Sequence, residues 1–239
     1  MGAVCTLNHT ILANTVLFSK ENLNRLKGIM YEKKVKSGTY LFEEGDLADK
    51  LYFIKEGSVN LSKVMDDGKE LSFYHFGADD MFGEYQYVEG KKCMFNAVAL
   101  KDCIVGVIQQ QDLEVLLWQD GDFSIQFTKW LGYMQQFTQT KMRDLMFFGK
   151  NGALASTLIR MTNTYGKADG NVYHITRKFT NEEIAGLIGA TRETVNRMLS
   201  QLKKEGIVGY DKGSFIILDL EALRNICHCE DCPRHVCRL

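Results

Sequence analysis

One stretch of the sequence, residues 180–202, restricts the fold more than any other, because it specifies two short helices joined by a tight turn. Thr180, followed three residues later by Glu183, forms a capping box that predicts the start of the first helix. Gly189 can adopt the left-handed conformation of a tight turn, and Thr191 can cap the second helix. The apolar side chains expected to face inward from the second helix are Val195, Leu199 and Leu202. The pattern predicts a helix-turn-helix.

The second helix is predicted to present side chains that suit contacts with DNA. The guanidinium groups of Arg192 and Arg197 can bond guanine O6 and N7, and Glu193 can accept a hydrogen bond from cytosine N4. The same face carries Asn196. Residues near the two helix N-termini, where hydroxyls and backbone N–H groups can hold phosphates, are Thr180, Asn181, Thr191 and Thr194. The alternative is an ordinary solvated helix face. Residues 207–210 and 214–218, joined by the turn 211–213, complete the pattern as a two-stranded wing.

Residues 33–109 have a different sequence pattern, in which short runs of aromatic and β-branched residues are separated by glycines. Met65-Asp-Asp-Gly-Lys69 is typical of a hairpin turn. A short amphipathic helix is predicted before this region, over residues 20–31. The predicted strands are 40–42, 51–54, 58–64, 71–76, 97–100 and 103–108. Repeated short strands of this kind indicate an antiparallel β-roll.

A long helix is predicted over residues 123–148. Side chains at alternating spacings of four and three residues form a coiled-coil seam, with the helix packing on its own domain as the alternative. The seam consists of Phe127, Leu131, Met134, Thr138, Lys141, Leu145 and Phe148. Phe127, Leu131, Met134, Thr138 and Leu145 are the predicted dimer interface. A glycine-containing hinge, 149–152, precedes a helix over 153–165 that ends at Gly166.

The predicted fold class is therefore α+β, with four segments. They are a β-roll sensor-like domain (1–120), a dimerisation helix and hinge (121–150), a winged helix-turn-helix (151–226) and a cysteine-rich tail (227–239). Residues 150–226 contain 11 Lys and Arg against 8 Asp and Glu, which favours an anionic partner for this part of a chain whose net charge is −1. No stretch approaches the roughly 20 apolar residues of a membrane span. No nucleotide loop or nucleophile elbow indicates an enzyme.

The tail contains four of the seven cysteines and the single proline. Cys229, Cys232 and Cys237 have the spacing C-x₂-C-x₄-C, and Cys227 lies two residues before the first of them. Closely spaced thiolates suit an iron–sulfur cluster or a structural zinc ion. Because the tail is polar, we expect a bound centre, and not packing, to hold it. Clustered cysteines also indicate a reducing cytoplasm, since disulfide frameworks distribute their cysteines through a fold.

This arrangement of β-roll, long helix and winged helix-turn-helix resembles the CRP/FNR family of bacterial transcription regulators. Thr191-Arg-Glu-Thr-Val-Asn-Arg197 is similar to the family's recognition helix. The resemblance implies a homodimer that binds a TGTGA-type palindrome in double-stranded DNA and acts on RNA polymerase. It also implies that Glu193 and Arg197 read the central bases and that Arg192 adds a guanine contact.

Two further features bear on the signal that such a regulator would sense. Family members that bind cyclic nucleotides carry Gly-Glu and, about ten residues later, Arg-Ser or Arg-Thr. This chain has Gly83-Glu84 but Met94 and Phe95 at the later positions. Without a guanidinium group to pair with it, burying the cyclic phosphate would cost several kcal/mol. The sequence therefore argues against a cyclic nucleotide as the ligand.

The tail resembles that of the FNR type found in Gram-positive bacilli. That resemblance implies a [4Fe–4S] cluster held by Cys229, Cys232, Cys237 and an aspartate from the dimer helix, here Asp144. Cys227 is the alternative fourth ligand. Asp144 could instead form a surface ion pair with Arg143 or Lys141. The alternative functions are a regulator of the same fold that binds zinc or senses thiol oxidation, and an iron–sulfur enzyme.

Overall fold

The computed structural model describes residues 13–66, 68, 70–85, 88 and 90–239. After a short 3₁₀ turn (Asn14–Leu17) and helix α1 (Lys20–Gly28), the chain forms two four-stranded antiparallel sheets with strand orders β1-β8-β3-β6 and β2-β7-β4-β5. The strands are β1 (Tyr31–Val35), β2 (Tyr40–Phe42), β3 (Lys50–Glu56), β4 (Val59–Val64), β5 (Glu70–Phe76), β6 (Met81–Gly83), β7 (Asn96–Ala99) and β8 (Cys103–Gln109). The β-roll and its six predicted strands are confirmed.

Two strands of the roll were not predicted. In β1 only Val35 is buried, and the charged residues before it lie on a sheet edge, so the strand lacks the apolar alternation used to find the others. Because Tyr31 already pairs with Val107 in β1, the predicted helix over 20–31 ends early, at Gly28. The other, β6, has only three residues. The predicted hairpin joins β4 to β5, and Gly68, at φ +78°, donates its N–H to Met65 O (2.8 Å).

Helix α2 (Gln110–Gln119) leads into the long helix α3 (Gly121–Phe147), whose N-terminus is capped by the Asp120 side chain. The buried stripe of α3 faces the core of its own chain and consists of Phe123, Phe127, Trp130, Tyr133, Phe137 and Asp144. This corrects the assignment of Phe127 to a dimer seam, because its side chain is 3% exposed and contacts Tyr85 and Trp130. A spacing of three and four residues describes both the predicted dimer seam and the buried stripe, and the large aromatic side chains lie in the buried stripe.

Of the other predicted interface residues, Leu131 and Leu145 lie on the outer face of α3, and Met134 and Thr138 lie where α3 meets the roll. Leu131 and Leu145 are 40% and 36% exposed, and Met142 and Met146 extend this exposed apolar surface. Met134 is half-buried against the roll core, and Thr138 hydrogen-bonds Tyr74 of β5. A second copy of the chain could therefore contact Leu131 and Leu145, whereas Met134 and Thr138 already have partners in the roll.

The break after α3 is shorter than the predicted hinge. Helix α4 (Gly149–Tyr165) begins directly after Phe148, so residues 149–152 form its first turn. Gly149 takes the left-handed conformation (φ +59°), which permits the change of direction in one residue. At Gly152 a Cβ atom would lie 2.1 Å from Cβ of Phe148, the N-cap residue of α4, so only glycine fits in this first turn. The helix ends at Gly166, as predicted.

The rest of the chain forms the winged helix-turn-helix. Helices α5 (Asn181–Ile188) and α6 (Arg192–Lys204) pack with α4, α7 (Leu220–Ile226) and a four-stranded sheet of order β11-β12-β10-β9. The strands are β9 (Gly166–Asp169), β10 (Val172–Ile175), β11 (Val208–Asp211) and β12 (Ser214–Ile217). The predicted wing, β11–β12, is confirmed, whereas β9, β10 and α7 were not predicted. No helix within the described ranges is long and apolar enough to cross a membrane.

Candidate functional site

The caps predicted for the helix-turn-helix are all present. The Thr180 hydroxyl accepts a hydrogen bond from Glu183 N (3.1 Å), and the Glu183 carboxylate accepts one from Thr180 N (2.7 Å), which completes the capping box of α5. Gly189 ends α5 at φ +60°. Thr191 Oγ1 accepts a hydrogen bond from Thr194 N (3.3 Å) and so caps α6. These caps fix the directions of both helices and the place where α6 begins.

Helix α6 separates its apolar and polar side chains sharply. Val195 and Leu199 are 0% and 2% exposed and pack into the domain core. The residues predicted to contact bases or phosphates lie together at the start of α6 and beside it: Arg192, Glu193, Asn196, Arg197, Thr180, Asn181, Thr191 and Thr194. Asn181 Nδ2 donates to Asn196 Oδ1 (3.4 Å), which links the N-terminus of α5 to the outer face of α6. A single surface thus presents two guanidinium groups, a carboxylate and several hydroxyls.

This surface faces the roll across a cleft of about 650 Å³. Thr180, Arg192 and Glu193 line one wall, and Glu70 and His75 of the roll line the other. The α6 residues that line this cleft are Arg192 and Glu193, in its first turn, and Arg192, Glu193, Asn196 and Arg197 are all exposed.

A partly buried contact holds α5 and its flanking residues against strand β5. Arg177 Nη1 lies 3.2 Å from His75 Nδ1, and Arg177 Nη2 forms a salt bridge with Glu183 (2.9 Å). Burial, with smaller effects from Arg177 and Lys141, lowers the pKa of His75 to about 3. The imidazole is therefore neutral at physiological pH, and its Nδ1 accepts the hydrogen bond from Arg177. The contact ties the capping box of the DNA-binding helices to the roll.

The cysteine-rich tail starts with a tight reversal at the end of α7. His228 N–H donates to Asn225 O (3.3 Å) and Cys229 N–H to Arg224 O (2.9 Å), the hydrogen-bond pattern of a Schellman motif. His228 takes the left-handed conformation (φ +46°) that glycine usually provides there. Pro233 O then accepts hydrogen bonds from Val236 N and Cys237 N, forming a second turn. The two turns fold Cys229, Cys232 and Cys237 back against the helices.

Packing also holds the tail, which corrects the expectation that it has none. Val236 is 0% exposed and belongs to the core of the roll, and Leu239 is 2% exposed in the core of the winged domain. Arg238 forms a buried salt bridge with Asp80 of the roll (2.7 Å), and Asn163 of α4 donates to Cys237 O (2.7 Å). Tyr133 of α3 donates to His235 O. The tail is thus attached to the roll, to α3 and α4, and to the winged domain.

Asp144 lies at the centre of these contacts. The ion pair with Arg143 that the sequence offered as an alternative is present (2.9 Å), but it is not at the surface, because Asp144 is 4% exposed. The Asp144 carboxylate accepts hydrogen bonds from Arg143 (2.9 and 3.1 Å), Arg160 (2.9 Å) and Ser156. Arg160 is itself 3% exposed and also donates to Val236 O (3.2 Å) in the tail. Sequence reasoning missed Arg160. Its signal was a cation on an otherwise apolar face of α4.

The tail thiols lie near one another and near Asp144. Burial, with smaller effects from Cys229, Asp144 and Cys237, raises the pKa of the Cys227 thiol to about 12. Burial raises the pKa of Cys237 as well, partly opposed by Arg160. Cys227 is 3% exposed and packs in the core of the winged domain, whereas Cys229, Cys232 and Cys237 are more accessible.

The chemistry of these donors fits an iron–sulfur cluster or zinc, because several thiols and one carboxylate surround the same junction. Among the residues that the structure describes, no three His, Cys, Asp or Glu side chains converge closely enough to hold a metal ion in this conformation. Binding a metal centre would therefore require the tail thiols to shift, and Asp144 to exchange hydrogen bonds for the metal.

Glu84 and Met94 are the positions that the resemblance compared with the cyclic-nucleotide motif. Glu84 Oε1 accepts a hydrogen bond from Met94 N (2.7 Å), and Glu84 Oε2 lies 3.7 Å from Lys91 Nζ. The roll interior is filled by packed aromatic rings, including Tyr52 against Phe82 (5.4 Å between centroids). The carboxylate of the Gly-Glu pair is thus engaged within the chain.

Comparisons with known proteins agree with this architecture. Residues 32–120 match the cyclic nucleotide-binding domain family, and residues 152–226 match the Crp-like helix-turn-helix domain family. The chain is 38% identical over 227 residues to the anaerobic regulatory protein of Bacillus subtilis, covering 93% of this chain and 94% of that relative. The chain belongs to the CRP/FNR family of transcription regulators. It is a DNA-binding transcription regulator and not an enzyme.

More distant relatives show how far the fold extends in the family. A CRP-like cAMP-activated global transcriptional regulator of Mycobacterium tuberculosis is 29% identical over 186 residues, covering 78% of this chain and 83% of that relative. The solved structure of a CooA mutant from Carboxydothermus hydrogenoformans has a TM-score of 0.74 at 20% identity and covers 90% of this chain and all of that one. FixK2 from Bradyrhizobium japonicum gives a TM-score of 0.68 at 22% identity, covering 83% and 97%.

Proposed function

We propose that this chain is an oxygen-responsive regulator that binds a TGTGA-type palindrome as a homodimer. In this proposal Arg192, Glu193 and Arg197 read bases, and Leu131 and Leu145 contact the second copy. An oxygen-labile [4Fe–4S] cluster controls DNA binding, and the regulated genes serve anaerobic respiration or fermentation. Similarity to an anaerobic regulatory protein over 93% of the chain supports the physiological role. We expect the protein to act in the cytoplasm, with RNA polymerase as its further partner.

The observation that carries the proposal is the position of the tail between the domains. The segment that bears the candidate ligands also inserts Val236 into the roll core and Leu239 into the core of the winged domain. A change in the fold of this segment must therefore alter contacts on both sides of the joint. A ligand that binds one arrangement of the joint more tightly shifts the population toward it.

Cys229, Cys232, Cys237 and Asp144 would hold the cluster, which when bound supplies a centre sensitive to oxygen. An oxygen ligand is harder and exchanges more readily than a thiolate, which suits a labile site. To act as a ligand, Asp144 must release hydrogen bonds from Arg143, Arg160 and Ser156. Since Arg160 also donates to Val236 O, a change at Asp144 reaches the docking contacts of the tail directly.

In this proposal, the contacts between the roll and the winged domain transmit the change in the tail to α6. Arg177 bonds both His75 of the roll and Glu183 of the capping box, and the DNA-reading surface faces the roll. We expect the cluster-bound tail to favour an arrangement in which α6 is turned away from the roll. Loss of the cluster returns the joint to the arrangement described here, in which the first turn of α6 borders the roll.

A regulator that binds zinc or senses thiol oxidation is the second candidate. It is supported by the proximity of Cys227 to Cys229 and Cys237, since four thiolates complete a tetrahedral zinc site. In that case the tail would be a structural element or a thiol switch, and Asp144 would remain paired with its arginines.

The deciding experiment is purification without exposure to air, followed by assays of iron, acid-labile sulfide and zinc. We expect iron and sulfide in equal amounts, a broad visible absorption band that bleaches in air, and specific retardation of a TGTGA palindrome before but not after exposure. A colourless anaerobic protein with stoichiometric zinc would favour the second candidate and reject the cluster.

Two substitutions identify the fourth ligand. Asp144→Asn preserves the shape of the side chain but makes it a poor iron ligand, and Cys227→Ala removes the competing thiol. We expect Asp144→Asn to lose the cluster faster in air, and Cys227→Ala to retain it at the rate of the unmodified protein. The opposite order would assign the role to Cys227. The visible absorbance and the iron content measure retention independently of DNA binding.

A further inference from the structure

A cavity of about 80 Å³ lies where strand β5, helices α3, α4 and α5 and the end of the tail meet. Roughly 10–15 Å³ of such space holds one water, so the cavity has room for about five to eight water-sized groups. Most of its wall is apolar, formed by side chains that include Leu71, Phe73, Leu187 and Leu239. Lys141 and Arg160 also line it.

Lys141 is the unusual group in this wall. Its Nζ donates one hydrogen bond to Phe73 O (2.6 Å) and lies 5.3 and 5.1 Å from the ring centroids of Tyr74 and Phe137. An ammonium group has three donors, so two remain for other acceptors. Burial, followed by Arg160 and Arg238, lowers the pKa of Lys141 well below its usual value. The charged form of this side chain is therefore incompletely compensated by the protein.

The ionisable side chains that line the cavity are Lys141 and Asp144 from α3 and Arg160 from α4; the lining side chains of β5 and α5 and that of Leu239 are neutral. The salt bridges of Asp144 within the described residues go to Arg143 and Arg160, and none goes to Lys141. A carboxylate placed beside Lys141 would pair with its charged form and supply the missing acceptors.

We propose that this cavity binds a small monocarboxylic acid with an apolar body, its carboxylate paired with Lys141 and its body against Leu71, Leu187 and Leu239. A doubly charged phosphate fits less well, because the wall is mainly apolar and Asp144 would repel the second charge. The volume limits the body to about the size of one aromatic ring or a short alkyl chain.

Such a ligand would affect the joint as well as the cavity. Strand β5 belongs to the roll, and α5 belongs to the DNA-binding domain, so a bound acid contacts both sides. It therefore stabilises the arrangement in which these two walls face each other. Any change in DNA affinity that it causes must be matched by an equal change in its own affinity when DNA binds.

The test measures benzoate binding to the full-length, metal-free protein by isothermal titration calorimetry and thermal unfolding, with benzyl alcohol as a neutral probe of the same size. We expect benzoate to bind and to raise the unfolding temperature, and benzyl alcohol to bind at least tenfold more weakly. Lys141→Met should weaken benzoate binding about ten- to hundredfold, the effect of losing one charged hydrogen bond. The matched control Lys129→Met, an exposed position on the same helix, should bind as the unmodified protein does.

Thr157→Leu, which adds volume to the cavity wall, provides a second variant. We expect this variant to remain folded but not to bind benzoate. Thermal unfolding shows whether the variant is folded. Equal binding of benzyl alcohol, or unchanged benzoate binding by Lys141→Met, would overturn the proposal. Absence of benzoate binding at about 10 mM, well above a weak dissociation constant of roughly 1 mM, would also overturn it. Met142 and Leu145 line the cavity from the outer face of α3, where Leu145 is proposed to contact the second copy. The oligomeric state is therefore measured in each titration.

Discussion

The buried salt bridge between Arg238 and Asp80 provides a direct test of how the tail is held. The two side chains are 6% and 2% exposed, so Arg238→Met leaves a buried carboxylate without its cation. Removing one partner of a buried pair costs about 3–5 kcal/mol. Asp80 would keep hydrogen bonds from Asn14 N (2.8 Å) and Gly77 N (2.9 Å), so we expect the lower end, about 3 kcal/mol.

Because Arg238 lies in the tail, this loss should appear first as detachment of the tail. A cost of about 3 kcal/mol raises the detached population roughly a hundredfold. The assay is the labelling rate of the half-buried Cys237 thiol in metal-free protein, resolved by mass spectrometry. We expect Arg238→Met to accelerate labelling of Cys237 by about this factor.

The matched control is Arg234→Met, which removes an exposed arginine of the same tail whose contact is a 3.4 Å hydrogen bond to Asn163. It should change the labelling rate little, because exposed contacts of this kind contribute at most about 1 kcal/mol. Asp80→Asn combined with Arg238→Met should recover part of the loss, since no buried charge is then left alone. Equal labelling rates in Arg238→Met and Arg234→Met would refute the interpretation that the salt bridge anchors the tail.

Three further predictions concern the domain contact, the dimer and DNA. The pKa of His75 is lowered in the folded state, so the unfolded chain binds the extra proton, and stability should fall as the pH drops below about 6.5. His75→Gln should remove about 1.4 kcal/mol per pH unit from this slope in urea unfolding between pH 4.5 and 6. Leu131→Glu should convert the proposed dimer to monomer in light scattering, whereas Lys129→Glu should not. Arg197→Ala should weaken binding to the palindrome by about 1–3 kcal/mol at fixed salt, measured by fluorescence anisotropy, without changing thermal stability.

Local patterns in the sequence were sufficient for the elements whose signals lie within a few residues. The capping box at Thr180, the left-handed Gly189 and the cap at Thr191 each involve neighbours along the chain, and all are present. Strands with alternating apolar residues were found for the same reason. The edge strand β1 was missed because its charged side chains face solvent and only Val35 packs inward.

The interior of the joint could not be predicted in this way. Which stripe of α3 is buried depends on the roll, since Phe127 and Leu131 fit the same periodicity and differ only in what they contact. Similarly, Val236 and Arg238 lie in a polar stretch of the sequence. Val236 nevertheless packs in the roll core, and Arg238 forms a salt bridge with Asp80, which is far away in sequence. Arg160 pairs with Asp144 and the tail only because α3, α4 and the last residues meet in space.

The placement of Arg160 explains why one short segment could control the whole regulator. Its guanidinium group joins the carboxylate proposed as a cluster ligand to the backbone of the tail, and it also lines the cavity beside Lys141. A buried guanidinium with fixed acceptors cannot lose one of them without reorganising the others, because unpaired donors in the interior are costly. Withdrawal of Asp144 should therefore loosen the hold on Val236, and with it the contact between roll and winged domain. The chemistry at the tail and the position of α6 are connected through this single side chain and the residues that it bonds.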